Sequence, residues 1–142
     1  VKALGLHQPY AYLIRAGVKT IETRFWSTPY RGPVLICSTK STSPGGLELL
    51  VNLRASGYMV STAAMADAGT MQCVVDIVDC RLGTEADEEA ACCRLWDYNK
   101  QGKLVQKYAM VLANVRPVVK HPVKCGRKWF TVDDELIEVG DD

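Results

Sequence analysis

Histidine is nearly missing from this sequence: only His7 and His121 occur among 142 residues, and no C-x-x-C pair accompanies them. Structural zinc sites draw on such clusters, so the six cysteines (Cys37, Cys73, Cys80, Cys92, Cys93 and Cys125), most of them inside apolar runs, read as buried reduced thiols. No metal and no other cofactor is expected. Apolar runs of about 20 residues, the length that spans a membrane, are absent, and so is the apolar core of a signal peptide near the first residue. The expectation is a soluble, cytoplasmic protein with no membrane partner. The chain begins with valine, which leaves room for an initiator methionine or a longer leader upstream.

Net charge is almost missing too, at +1, which argues against a very tight non-specific DNA binder. That small total hides segregation. Residues 1–40 carry Lys2, Arg15, Lys19, Arg24, Arg31 and Lys40 against Glu22 alone, and residues 100–128 carry eight Lys/Arg and no acid. Residues 67–97 hold eight acids against two bases, and residues 129–142 hold six acids and no base. If the fold joins the two basic blocks, they make a positive face suited to a polyanion; if it interleaves them with the acids, they neutralise each other. Hydrophobic residues at 48% and charged ones at 23% are the proportions of a folded domain, and the length fits one domain over residues 1–142.

The densest stretch of polar groups at element ends is residues 6–32, LHQPYAYLIRAGVKTIETRFWSTPYRG. Pro9 suits the start of a helix, with His7 or Gln8 at the cap, and Tyr10, Leu13 and Ile14 share one face until Gly17 stops it. The period then changes to two. Ile21, Thr23 and Phe25 fall on one side of a strand, and Thr20, Glu22, Arg24 and Trp26 on the other, with Lys19 at its mouth. A cation, a carboxylate and a guanidinium converge there, as a surface ion pair of little worth or as the wall of a site. Pro29 builds a turn that presents Tyr30 and Arg31, the first suited to stack on a base with Trp26, the second to pair with phosphate.

The remaining pattern predicts strands at residues 3–6, 34–37, 70–81, 108–115 and 118–123, a helix over residues 44–54, and a loop over 58–69. An acidic helix capped by Thr84 is expected to run to Trp96, followed by a basic loop over residues 99–107. Residues 124–130 place Lys124, Arg127 and Lys128 beside Trp129 and Phe130, a mixture suited to nucleic acid or, for the aromatics, to anchoring a terminal strand. The acidic end, residues 133–142, reads as a short helix and a frayed tail. Short strands and two or three helices without strict βαβ order make an α+β domain.

The run Gln8-Pro9-Tyr10, then Gly17 to Arg24 in the form G-x-K-x-x-E-x-R, then Thr28-Pro29-Tyr30-Arg31-Gly32 resembles the ASCH domain (activating signal cointegrator homology) of the PUA-like superfold. The resemblance extends more loosely through residues 69–80 and 124–134. It implies a small PUA-like β-barrel of five to seven strands flanked by helices, with a cleft at the helix-strand junction around Lys19, Glu22 and Arg24. It also implies a ligand of the RNA or nucleotide kind. The expected contacts are His7, Gln8, Lys19, Glu22, Arg24, Trp26, Tyr30, Arg31 and Lys128. A second reading is a small hydrolase, because some ASCH-like proteins resemble amidohydrolases acting on acetylated cytidine, or ribonucleases. Lys19 and Glu22 would then be catalytic, with burial tuning the lysine. That amidohydrolase pattern has threonine three residues after the lysine, where this chain has Glu22, so its chemistry does not transfer directly. A protein-interaction adaptor is the third reading, suggested by the cointegrator name.

Overall fold

The structure is a computed structural model and describes residues 1–140. Its chain order is β1 (Lys2–Gln8), α1 (Tyr10–Arg15), β2 (Ile21–Arg24), β3 (Gly32–Thr42), α2 (Gly46–Ala55), β4 (Met71–Leu82), α3 (Glu88–Ala91), β5 (Trp96–Tyr98), β6 (Leu104–Gln106), β7 (Tyr108–Pro117) and β8 (Phe130–Thr131). Six strands form one sheet in the order β2-β7-β4-β3-β1-β8, with β1 and β3 parallel and the other neighbours antiparallel. β5 and β6 form a separate hairpin. The α+β class is as the sequence predicts. Among the described residues no ladder joins β2 to β8, so the sheet is open by backbone pairing. It nevertheless doubles back: the Arg24 Nη2 on β2 donates to the Gly5 carbonyl on β1, 3.1 Å away, although three strands separate them in the sheet.

The core sits between this sheet and α1. Leu4 and Leu6 of β1, Val34 and Ile36 of β3, Val75 and Ile77 of β4, and Met110 and Leu112 of β7 alternate onto the face that Ala11 and Ile14 of α1 cover. Each large side chain so buried contributes about 1.5–3 kcal/mol relative to exposure. The helix is positioned at its start by Gln8, whose buried Oε1 accepts the Tyr12 N–H at 2.9 Å while its Nε2 donates to the Asp67 carbonyl at 3.1 Å. At its end Gly17 adopts φ +76°, and the N–H groups of Val18 and Lys19 both return to the Leu13 carbonyl. That turn delivers Lys19 to the interior.

Five local expectations are corrected. The acidic helix ends at Ala91, not Trp96, because Cys92 turns left-handed (φ +56°) and lets Leu95 drop into a small cluster with Ile21, Ala91 and Ala109. The basic loop contains β6: Asn99 Oδ1 accepts the N–H groups of Gln101 and Lys103, and Gly102 at φ +74° closes a hairpin turn. No strand forms over residues 118–123, which make only isolated bridges at Val118 and Pro122. The presumed loop at 58–69 holds a 3-10 turn, Thr62–Ala66. At the acidic end a 3-10 turn, Asp134–Leu136, stands in for the short helix, and the last two positions of the expected tail lie outside the described residues. No helix among the described residues is long and apolar enough to cross a membrane.

Candidate functional site

Both faces of β2 are covered: Ile21 packs into the cluster with Leu95 and Ala109 on one side, and the polar side is also turned inward. Phe25, expected on the apolar side, is 47% exposed, whereas Glu22 is 6% exposed. The doubling back of the sheet explains the burial of Glu22, since it brings Arg24 of β2 to the Gly5 carbonyl, on the stretch of β1 beyond its pairing with β8. Glu22 Oε2 accepts from Arg24 Nε at 2.9 Å, and its Oε1 accepts the Thr23 N–H at 3.0 Å. Lys19 Nζ stands 3.6 Å from the same Oε1, donates to the Ala91 carbonyl, and lies 5.3 Å from the centre of the Tyr10 ring. Lys19 is itself only 1% exposed. Burial pushes the Glu22 carboxyl up, but Arg24, Lys19 and the Thr23 N–H together outweigh it and hold the group below the ordinary carboxylate range.

This triad forms one wall of a cavity of about 780 Å³. The opposite wall comes from the β5–β6 hairpin and its approach: Cys93, Asp97, Asn99, Lys100, Gln101 and Lys107. His7 and Tyr10 contribute from β1 and α1, and Trp26 and Lys128 close the rim. Lys19 and Arg24 from the first basic block and Lys100, Lys107 and Lys128 from the second therefore line one space, with Glu22 and Asp97 as its acids. At the rim Lys128 Nζ lies 5.7 Å from the Trp26 ring centre and Arg24 lies 5.9 Å from it, while Trp26 packs at 6.0 Å on Trp129.

Of the nine residues expected at the site, His7, Lys19, Glu22, Arg24, Trp26 and Lys128 line the cavity. The other three take positions beside it. Gln8 caps α1, as described. Tyr30 packs edge-on against Trp129 at 5.6 Å and donates its hydroxyl to the Pro33 carbonyl at 2.7 Å. Arg31 donates to the carbonyls of Thr28 and Tyr30 and stands 3.6 Å from Asp79, on the outer surface. Asp76, the other acid of β4, pairs with Arg116, and neither acid lines the cavity. Residue-by-residue reading missed the hairpin wall. The available signal was Asn99 and Gly102 between two short alternating runs.

All six cysteines are free thiols. Burial pushes the Cys73 thiol up to about 12. Cys37 is likewise raised, chiefly by its contact with Cys125. Cys93 alone lines the cavity, its sulfur 3.4 Å from the Thr23 hydroxyl.

The profile of the ASCH domain family matches residues 4–122. The chain belongs to the ASCH family. It is 29% identical over 137 residues to activating signal cointegrator 1 of Mus musculus and to that of Homo sapiens. Each match covers 94% of this chain and 22% of the relative, so the chain spans about a fifth of those proteins. Among solved structures it is similar to a tyrosine-to-phenylalanine mutant of ZmASCH from Zymomonas mobilis, with a TM-score of 0.55 and 12% identity. That match covers 94% of this chain and 91% of the other, so the two share the ASCH fold over nearly their whole lengths.

Proposed function

We propose that this ASCH domain binds RNA or a nucleotide, one nucleotide unit entering the cavity between β2 and the β5–β6 hairpin. One observation carries the reading: a cavity of about 780 Å³ joins an ion-paired Lys19–Glu22–Arg24 wall to a rim where Lys128 and Arg24 lie 5.7 and 5.9 Å from the Trp26 ring centre. The volume is within the usual range for small-ligand sites, about 300–1,000 Å³. Trp26 offers a face on which a base stacks, and Lys100 and Lys128, both exposed, neutralise backbone phosphate. Glu22 accepts from the exocyclic amine or sugar hydroxyl of the ligand, and Arg24 fixes the carboxylate for that contact. The doubling back of the sheet, in which Arg24 of β2 donates to the Gly5 carbonyl of β1, supports the PUA-like barrel that the resemblance implies.

The test is binding of fluorescent single-stranded RNA, duplex RNA and duplex DNA across a salt series, for wild type and Lys100→Ala/Lys128→Ala. Single-stranded RNA is expected to bind with salt-dependent affinity, and the double variant to flatten the salt slope by about one unit. No binding of RNA or nucleotide, or an unchanged slope, overturns the reading.

A hydrolase acting on a modified nucleoside is the second reading. It is favoured by the proximity of Lys19 Nζ to Glu22 Oε1, 3.6 Å, within the cavity lining. Release of acetate from acetylated cytidine, abolished in Lys19→Met, supports it, and absence of turnover with bound substrate refutes it.

A further inference from the structure

The buried cations of the cavity differ in what answers their charge. Lys19 has Glu22 and the Ala91 carbonyl, and Arg24 has Glu22 and the Gly5 carbonyl. Lys107 is 8% exposed, and among the described residues its Nζ reaches only the Cys93 sulfur, at 3.9 Å. A thiol is a weak acceptor and no substitute for a carboxylate. The backbone around Lys107 is fixed on both sides: its N–H donates to the Leu95 carbonyl at 2.7 Å and its carbonyl accepts the Gly83 N–H at 2.9 Å. The side chain is thus held into the cavity lining with its stem buried. No carboxylate stands within ion-pair distance of this ammonium among the described residues, and a cation lining a cavity without a counter-charge favours an anion there. The Thr23 hydroxyl, 3.4 Å from the same sulfur, adds a second donor to that corner.

We propose that Lys107, with the Thr23 hydroxyl beside it, is the anion position of the cavity and takes the phosphate of a nucleotide. The ligand class is then a phosphorylated nucleoside, free or at the end of an RNA, rather than an uncharged one. This rests on the nucleotide reading above and narrows it. It also separates the cavity into two chemically distinct ends: Glu22, whose charge is already matched, meets neutral polar groups, and Lys107 meets the anion.

Calorimetric affinities of ribonucleosides, their 5′-monophosphates and short RNA with and without a terminal phosphate test this, in wild type, Lys107→Met and Lys107→Arg. The phosphate is expected to tighten wild-type binding by about tenfold or more, the worth of one charge-assisted hydrogen bond. The gain disappears in Lys107→Met and largely survives in Lys107→Arg. A gain with the free monophosphate assigns a free nucleotide, and a gain confined to end-phosphorylated RNA assigns RNA; either supports the proposal. Lys107→Met keeps the shape of the stem and removes the unpaired charge, so it is expected to melt at the wild-type temperature or above. Inorganic phosphate, against chloride at equal ionic strength, raises the melting temperature of wild type but not of Lys107→Met. Nucleoside and monophosphate of equal affinity, or a phosphate gain undiminished in Lys107→Met, overturns the anion position while leaving the nucleotide reading intact. Absence of binding by every nucleoside, nucleotide and RNA overturns the nucleotide reading, and the inorganic-phosphate comparison then decides the anion position by itself.

Discussion

The two walls of the cavity are built on opposite principles. On the β2 side, the buried Lys19 and the partly buried Arg24 share one buried carboxylate, Glu22, within a span of six residues, so each charged group has a partner before any ligand arrives. On the hairpin side, the groups come from a turn, and Lys107 stands buried without a carboxylate in ion-pair distance among the described residues. A self-satisfied wall contributes mainly shape and orientation, whereas an unsatisfied one stores the electrostatic demand that a ligand meets. Stability and binding are therefore expected to respond to different walls.

The largest break comes from Glu22→Gln. It leaves the buried Lys19 and the partly buried Arg24 with no counter-charge and is expected to cost roughly 3–5 kcal/mol in urea unfolding. The same variant sharpens the pH dependence. The folded-state pKa of Glu22 lies below its ordinary value of 4.5, so its stabilisation is complete above that pH and is lost as pH falls through the folded value. Glu22→Gln should remove its share of the acid loss seen below pH 4.5, measured as melting temperature against pH.

Gly83→Ala tests the hairpin wall. A Cβ there would clash with Leu95 Cδ1 and stand 3.1 Å from the Lys107 carbonyl. The expected cost is about 1–3 kcal/mol by overpacking, together with weaker ligand binding as Lys107 shifts. The smallest effect is expected at Arg31→Ala. Its partner Asp79 is 3.6 Å away with side chains 42% and 52% exposed, so loss of the pair costs at most about 1 kcal/mol and leaves ligand affinity unchanged. A large affinity loss there would erase the distinction between cavity and outer surface.

What was legible in the sequence follows the same division. The β2 wall could be read because its residues are neighbours in the chain: Gly17, Lys19, Glu22 and Arg24 carry both the turn that positions them and the charges that meet. That the charged face of β2 is covered as well as the apolar one could not be read, because alternation alone does not reveal the doubling back of the sheet. The acidic helix was overextended because helical composition continues past Ala91, while the demand of Leu95 for the cluster around Ile21 is a tertiary effect. Lys107 was passed over as a loop cation, since its burial depends on Gly83 and Leu95, residues distant from it in the chain. Gln8 and Tyr30, expected as ligand contacts, lie beside the cavity, where Gln8 holds the start of α1 and Tyr30 bonds the Pro33 carbonyl.

The most direct test of the central claim, that a nucleotide enters between the two walls, is an amide and indole NMR titration of the wild-type domain with nucleoside monophosphates. Shifts concentrated at Thr23, Arg24, Lys107 and the Trp26 indole are the predicted result. Shifts centred on Arg31 and Asp79, or none at about 1 mM ligand, would contradict it.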